Sequence, residues 1–213
     1  MTFNVTFGYK RNELIFNNFE LNIPEGKITI LCGHNGAGKT TLLKTLAKVL
    51  PSNLPDCDSW YVPAERGLIY HFSLMEHLDM MSKKELLKTD GLLKDAFDTF
   101  EAEEFSKKKI SSLSTGQNMM ASIVVAFASD KKVLFLDEPF GCLDPKNADN
   151  LMHLLKKAAQ NGITILATSH DLFMTAETAD HLVYIKKGKI VYETDMNSDI
   201  TVTELTEKYK ELC

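Results

Sequence analysis

A glycine-rich string near the N-terminus has the residues and spacing of a phosphate-binding loop. Residues 33–40 read Gly-His-Asn-Gly-Ala-Gly-Lys-Thr and fit the pattern G-x-x-x-x-G-K-[ST] directly after an apolar run. The glycines let successive backbone N–H groups turn inward around a phosphate, while Lys39 adds a positive charge and Thr40 a hydroxyl for Mg²⁺. A helix expected over residues 41–49 would aim the positive end of its dipole at the same anion. The string therefore predicts a bound nucleotide phosphate with Mg²⁺.

Two further apolar runs, which resemble buried strands, also end in reactive residues. The run at 133–136 is followed by Asp137 and Glu138, and the run at 163–167 leads to His170. Because open α/β sheets bind ligands at the carboxyl ends of their strands, we expect these groups to meet the phosphate loop. Asp137 is placed to hold the Mg²⁺ shell and Glu138 to polarise an attacking water. The alternative interpretation is that two acids merely mark the end of a strand.

A second candidate anion site is the string Leu-Ser-Thr-Gly-Gln at 113–117, which precedes the apolar helical run 119–128. Ser114 and the backbone of Gly116 would lie at the N-terminus of that helix. A plain helix N-cap is an equally good interpretation. A nucleotide already bound at 33–40 does not require this string. In a second copy of the chain that faces the first head to tail, however, the string could contact the nucleotide of the first copy.

The pattern of apolar residues predicts an α/β fold with a mostly parallel core sheet. Up to residue 23, apolar and polar residues alternate, which indicates short antiparallel strands with turns at 10–12 and 17–18. From about 74, apolar residues recur at helical spacing, and a hairpin with Gly188 at its turn follows near the end. We expect one domain over residues 1–213, with an N-terminal antiparallel β subdomain and a small helical subdomain inserted at about 74–117.

Composition limits the location and the partners. The net charge of -5 argues against a nucleic-acid binder, and four cysteines without a C-x-x-C pair indicate reduced thiols of a cytosolic protein. The N-terminus lacks the basic and apolar segments of a secretory signal, and the longest uncharged apolar stretch, 119–128, is too short to span a bilayer. We expect a cytoplasmic protein whose membrane part, if any, belongs to another chain.

Taken together, these motifs resemble the nucleotide-binding subunit of an ATP-binding cassette (ABC) transporter, which is a P-loop NTPase. The resemblance runs from Phe7-Gly8-Tyr9 to the hairpin at 187–189. It implies the ABC ATPase fold and Mg²⁺-dependent hydrolysis of ATP. Five ordered motifs carry it: Gly33–Thr40, Leu113–Gln117, Val133–Pro139, Leu143-Asp144 and His170.

The resemblance also implies roles for individual residues. Tyr9 would stack on adenine, Glu138 would be the catalytic carboxylate, His170 would contact the γ-phosphate, and Asp144 would signal across a dimer. Ser114, Gly116 and Gln117 would cap the ATP held by the partner subunit. The metal residues would be Thr40 and Asp137. The implied nucleotide-binding residues are Tyr9, Gly33, His34, Asn35, Gly36, Ala37, Gly38, Lys39, Thr40, Thr41, Ser114, Gly116, Gln117 and Asp144.

Two stretches depart from the family pattern. Members usually carry Gln in the loop after the phosphate helix, where it touches Mg²⁺ and the transmembrane partner. The matching stretch here, 61–67, has Ala64 at that position, with Glu65 as the alternative. Thr115 stands where Gly is commoner, and Asn-Met-Met at 118–120 replaces residues that are often basic. We expect weaker coupling or a different docking surface, and not a loss of ATP binding.

The function expected is ATP binding and hydrolysis that energises a separate transmembrane permease at the cytoplasmic face of the plasma membrane. A second copy, or a homologous ATPase subunit, would complete the dimer. The lack of an added C-terminal domain favours an exporter-type bacterial system. The alternatives are a soluble non-transport ABC ATPase and a nucleotide-gated docking module with little hydrolysis. Candidate docking residues, which could equally be core, are Leu68, Ile69, Tyr70, His71, Phe72, Met75, Met80 and Met81.

Overall fold

The computed structural model describes residues 1–10, 13–65, 67–196, 200 and 202–212. The strands are β1 Thr2–Phe7, β2 Phe16–Asn22, β3 Ile28–Cys32, β4 Ser59–Val62, β5 Val133–Leu136, β6 Thr164–Thr168, β7 His181–Lys186 and β8 Lys189–Asp195. The helices are α1 Lys39–Leu46, α2 Leu74–Met80, α3 Leu92–Thr99, α4 Thr115–Ala128, α5 Pro145–Gln160, α6 Leu172–Thr178 and α7 Val202–Leu212. Short 3-10 helices cover Lys84–Lys88, Ala102–Glu104 and Ile110–Ser112.

Six strands form one sheet in the order β4-β5-β6-β3-β7-β8. Every pair in it is parallel except the hairpin of β7 and β8. Strands β3, β5 and β6 are buried at each position, as their unbroken apolar runs predict. The predicted α/β fold with a mostly parallel sheet and an N-terminal antiparallel pair is confirmed.

Alternate side chains of the central strands serve two separate cores. On one face, Leu31 packs with α1 and the β1–β2 pair, where Phe16 and Leu42 are fully buried. On the other face, Ile30 packs with α4 and α5. Because both faces are covered, the sheet holds its strand ends as a rigid edge, and this edge carries the reactive residues.

The register brings the ends of the central strands level. Leu31 of β3 lies beside Thr168 of β6, and Leu136 of β5 lies beside Ala167. The residues that follow each strand therefore emerge side by side, as the rule for open α/β sheets predicts. Strand β4, which the apolar pattern did not reveal, adds Tyr61 and Val62 at the same edge.

One predicted turn is wrong. Asn17 and Asn18 lie inside β2, where Asn18 has a φ of 47° and its N–H donates to Thr6 Oγ1 at 3.1 Å. The pairing of β1 with β2 shifts register in the same region, between Val5 and Phe7. The asparagines therefore form an irregularity in the ladder and not a reversal. The turn predicted at 10–12 lies partly outside the described residues, since 11 and 12 are not among them.

Between β4 and β5, the described residues form helices. Helix α2 begins at a capping box, in which Ser73 accepts from the N–H of Glu76 and Glu76 accepts from the N–H of Ser73. Helix α4 begins at a second capping box and is buried along most of its length. Helix α3 packs against it through Leu93 and Phe97, which are both buried. The helical spacing at 74–112 therefore predicted the type of element correctly.

The hairpin turn gives a test of backbone constraint. Lys187 and Gly188 both have positive φ, and a Cβ placed on Gly188 would lie 1.8 Å from Ile15 O. We expect Gly188→Ala to lower the free energy of unfolding by at least about 2 kcal/mol, because left-handed strain adds to a clash with backbone. Gly162→Ala is the matched control, since Gly162 has a φ of 85° but nothing within 4 Å. Urea denaturation showing equal losses for the two variants would contradict the close approach.

Candidate functional site

The phosphate loop turns on glycines and ends in a lysine that folds back over it. Gly36 and Gly38 have φ of 81° and 105°, and a Cβ on Gly38 would lie 2.8 Å from the Phe16 ring. Helix α1 begins at Lys39, two residues before the predicted start. The Lys39 side chain is 8% exposed, and its ammonium donates to Gly33 O at 2.6 Å. The loop thus presents backbone N–H groups, a helix N-terminus and one buried positive charge together.

A cavity of about 390 Å³ opens beside this loop. Its volume lies in the range of small-molecule binding sites. Ten of its lining residues were predicted from the sequence, and Ile15 is the addition. Ile15 had no signal of its own, because only the packing of the loop before β2 against Gly38 brings it there. The lining residues are Ile15, His34, Asn35, Gly36, Ala37, Gly38, Lys39, Thr40, Thr41, Glu138 and His170.

Asp137 is buried, with 3% of its surface exposed, and its carboxylate accepts from three hydroxyls. Thr168 Oγ1 and Thr40 Oγ1 donate to its Oδ1 at 2.8 and 3.1 Å, and Tyr61 OH donates to its Oδ2 at 3.3 Å. Burial, with the charge of Asp137 beside it, raises the pKa of Tyr61 and keeps the phenol protonated. The structure therefore joins the predicted pair Thr40 and Asp137, and adds two hydroxyls that sequence reasoning missed.

Glu138 lies next to Asp137 but points toward the phosphate loop. Its Oε2 is 2.8 Å from His170 Nδ1, and its Oε1 is 3.9 Å from Lys39 Nζ. Its backbone has a φ of 49°, in the left-handed region that few residues other than glycine adopt. Strained backbone of this kind is typical of functional sites when surrounding contacts hold it. The two predicted catalytic residues are therefore in direct contact.

Tyr9 follows β1 and contacts Thr41 at the rim of the cavity, although it is not among the lining residues. Its ring is 65% exposed, and its hydroxyl lies 3.3 Å from Thr41 Oγ1. The edge-on contact with Phe7, at 5.2 Å between centroids, holds the ring in place. An exposed aromatic face beside the phosphate loop is available for a flat ligand.

Four predicted nucleotide-binding residues lie elsewhere. Ser114 accepts from Gln117 N–H, and Gln117 Oε1 accepts from Ser114 N–H, both at 3.2 Å. Asp144 accepts from Asn147 N–H at 3.0 Å at the start of α5, and this hydrogen bond lowers the pKa of Asp144. Among the described residues, these three and Gly116 do not line the cavity. Within one chain, therefore, the N-cap interpretation of the string 113–117 describes Ser114 and Gln117, and Asp144 caps α5 in the same way.

The loop after β4 faces a different cavity. Ala64 and Glu65 line a space of about 300 Å³, together with Tyr70 and Thr115. In the described part of the chain, neither residue is among those that line the phosphate-loop cavity. Neither Ala64 nor Glu65 therefore takes the position of the family's glutamine at the phosphate loop.

The candidate docking residues separate into exposed and packed groups. Ile69, Tyr70 and Met80 are 48%, 39% and 63% exposed. Leu68 is buried, and the Phe72 ring packs edge-on against His77 at 5.7 Å. Met75 and Met81 pack partly buried against the core. Only the first group therefore has the exposure that the docking prediction requires, and the core interpretation describes the second.

No helix in the described residues has the length and apolar character needed to cross a membrane. Cys32, Cys57 and Cys142 are free thiols, as their wide spacing predicts, while Cys213 lies outside the described residues. Burial raises the pKa of Cys32 to about 11, so this thiol stays protonated.

Comparison with known proteins agrees with this geometry. The family model described as "ABC transporter" matches residues 16–141. The manganese transport system ATP-binding protein of Listeria monocytogenes is 32% identical over 209 residues, which cover 88% of this chain and 87% of that protein. The L-arabinose transport ATP-binding protein of Geobacillus stearothermophilus is 28% identical over 88% of this chain, which spans 42% of that relative's length.

Solved structures show the same fold. An ATP-binding subunit of an ABC transporter superposes with a TM-score of 0.82 at 19% identity, covering 98% of both chains. A dimeric ATP-binding cassette in a post-hydrolysis state, bound to ADP and Pi, gives a TM-score of 0.79 at 26% identity and covers 93% of this chain and all of that one. With a family model over more than half of its length and a relative above 30% identity, this chain belongs to the ATP-binding subunits of ABC transporters and is an ATPase.

Proposed function

We propose that this chain binds and hydrolyses ATP with Mg²⁺ and thereby energises a separate transmembrane permease, at the cytoplasmic face of the plasma membrane. The observation that supports this function best is the meeting of Lys39, Thr40, Glu138 and His170 at one cavity. The buried carboxylate of Asp137 lies directly behind Thr40, whose hydroxyl donates to it. The level ends of β3, β5 and β6 bring these residues together from three separate parts of the chain.

The donors present fit both the nucleotide and the metal. Lys39 and the loop N–H groups would hold the phosphates, and Tyr9 would offer its ring to adenine. Thr40 Oγ1 and Asp137 Oδ1 lie 3.1 Å apart and are the hard oxygen ligands that Mg²⁺ takes beside phosphate oxygens. Bound there, Mg²⁺ would neutralise charge on the β- and γ-phosphates. These two residues would therefore hold the metal.

Glu138 is the group placed to act on water. Its carboxylate would orient a water molecule and accept its proton, while His170, already hydrogen-bonded to Glu138, would contact the γ-phosphate. Lys39, at 3.9 Å from the carboxylate, would leave this weak ion pair for the phosphates when nucleotide binds. The charge of Glu138 would then face water and His170.

A second copy of the chain, or a homologous ATPase subunit, would complete the site. Ser114, Gly116 and Gln117 would cap the nucleotide held by the other subunit, and Asp144 would contact it. Their location away from this chain's own phosphate-loop cavity supports a role in trans, and so does the dimeric cassette at 26% identity. Closure of the pair would exclude water and transmit motion to the permease.

The exporter-type assignment stays a prediction, because the relatives are named for the transport of manganese or arabinose without a direction. The docking module with little hydrolysis has one observation in its favour, the position of Ala64 and Glu65 at a separate cavity. Phosphate release measured with and without Mg²⁺ decides between it and the proposed ATPase.

Lys39→Ala tests the phosphate loop. We expect ATP affinity to fall at least about 100-fold, because the only buried ammonium described at the loop is removed and the backbone N–H groups that remain there are neutral. Isothermal titration with ATP is the measurement. Lys44→Ala, one turn further along α1, is the control and should bind normally. Unchanged affinity in the first variant would sink the assignment of the loop.

Glu138→Gln separates binding from hydrolysis. We expect phosphate release to fall at least about 100-fold while ATP binding survives, because an amide cannot accept a proton from water. Size-exclusion chromatography with ATP and Mg²⁺ should then show a trapped dimer. Glu85→Gln, on the exposed Lys84–Lys88 helix, should hydrolyse ATP normally. A strictly monomeric Glu138→Gln protein would contradict the shared nucleotide sites.

Tyr70→Glu tests the docking surface, which we define as Ile69 and Tyr70. Both are exposed apolar side chains, and Tyr70 lines the cavity beside Ala64. We expect the variant to keep the ATPase activity of the isolated subunit and to lose co-purification with its permease, because a charge disrupts an apolar anchor. Leu86→Glu is the control, since Leu86 is 41% exposed but lies on the Lys84–Lys88 3-10 helix and not in the loop before α2. Joint loss of folding and ATPase activity would show that Tyr70 belongs to the core.

A further inference from the structure

One buried hydroxyl at the end of β6 connects the two acidic residues of the site. Thr168 is fully buried, and its Oγ1 donates to Asp137 Oδ1 at 2.8 Å. The same oxygen accepts from the backbone N–H of Glu138, also at 2.8 Å. A threonine hydroxyl has a single hydrogen, which here is donated to the Asp137 carboxylate. One lone pair of the same oxygen accepts the backbone N–H of Glu138.

We propose that Thr168 is a positioning residue for ATP hydrolysis: it orients the carboxylate of Asp137 and the backbone of Glu138 at the same time. The proposal rests on the proposed function, because the two acids act on metal and water only if ATP is hydrolysed here. Thr168 is not among the residues that line the phosphate-loop cavity, so it would act through Asp137 and Glu138.

The strand that carries Thr168 is fixed on both sides. Its Cα lies in register with Leu31 of β3, and Ala167 before it lies in register with Leu136 of β5. The N–H of Ser169 donates to Leu31 O at 3.3 Å. A side chain built on a central strand is held more precisely than one on a loop. Thr168 therefore transfers the rigidity of the sheet to residues 137 and 138, which lie beyond the end of β5.

Glu138 needs such support, because its left-handed backbone is not a conformation it would keep unaided. Its N–H is held by Thr168, and its carbonyl accepts from the N–H of Gly141 at 3.2 Å. Its carboxylate meets His170, two residues after Thr168. The segment 168–170 therefore holds Glu138 at both its backbone and its side chain.

Thr168 would also keep the Asp137 carboxylate in place when the hydroxyl of Thr40 leaves it to bind Mg²⁺. Thr40 shares Oδ1 with Thr168, but the hydroxyl of Thr40 is the one that would ligate Mg²⁺. Tyr61 donates only to Oδ2, and at the longer distance of 3.3 Å. Among the described donors to Oδ1, Thr168 is the one that needs no rearrangement on metal binding.

The test compares Thr168→Val with Thr168→Ser in the full chain. Valine keeps the shape and removes the hydroxyl, whereas serine keeps the hydroxyl and loses one methyl group. We expect kcat of Thr168→Val to fall about 10- to 100-fold, because misplaced catalytic groups lose rate without losing binding. ADP affinity without metal should stay within about 3-fold, and Thr168→Ser should keep kcat within about 3-fold.

A readout independent of turnover is amide hydrogen exchange of the Glu138 N–H in the nucleotide-free protein. We expect exchange to speed up about 10-fold or more in Thr168→Val and to stay unchanged in Thr168→Ser. If the wild type releases no phosphate, the proposed function fails, while this exchange comparison still decides whether Thr168 holds Glu138.

Thr164→Val is the matched control. Thr164 lies on the same strand, is buried, and accepts from the Gly26 N–H at 3.0 Å, but it is at the other end. It should lose stability with kcat within about 2-fold of wild type. If Thr168→Val does not fold, Thr168→Cys replaces it and is compared with Thr168→Ser. A thiol is a weak donor and a weak acceptor, so cysteine removes most of the hydrogen bonding that serine keeps. Wild-type kcat in the variant without the hydroxyl, or equal losses in Thr168→Ser, would overturn the proposal.

Discussion

A buried carboxylate sets the main constraint on this structure. Asp137 is almost inaccessible to water, and a buried charge is costly unless hydrogen bonds or ions replace the lost hydration. Its donors come from three different elements: Thr40 of α1, Tyr61 of β4 and Thr168 of β6. Because each must arrive within hydrogen-bonding distance, the carboxylate ties the phosphate helix, the sheet edge and the central strand into one arrangement.

The same arrangement concentrates strain and charge where chemistry takes place. Glu138 keeps an unfavourable backbone conformation next to Asp137, and its carboxylate meets both His170 and Lys39. A rigid sheet covered on both faces can store such strain, since its neighbours do not relax easily. The hairpin of β7 and β8 also supports the site. Gly188 in its turn allows the close approach of Ile15, and Ile15 lines the cavity.

The residues proposed to contact the other subunit's nucleotide already have hydrogen-bond partners within their own chain. Ser114 with Gln117, and Asp144 with Asn147, form complete caps at the starts of α4 and α5. Such caps stabilise each helix without a partner. A second subunit would therefore meet preformed helix ends and not loops that must first be ordered, which lowers the entropy cost of forming the dimer.

The sequence by itself determined what depends on local spacing. The loop at 33–40 with the helix after it, the buried strands with the reactive residues that follow them, and the N-cap at Ser114 are contiguous patterns, and ten of the cavity residues follow from them. Tertiary structure decided the rest. Tyr61, Thr168 and Ile15 reach the site only through strand order and packing, and Asn18 forms a ladder irregularity because β1 pairs across it. Side-chain type does not encode long-range neighbours, so only the folded chain distinguishes exposed Tyr70 from Phe72, which packs against His77.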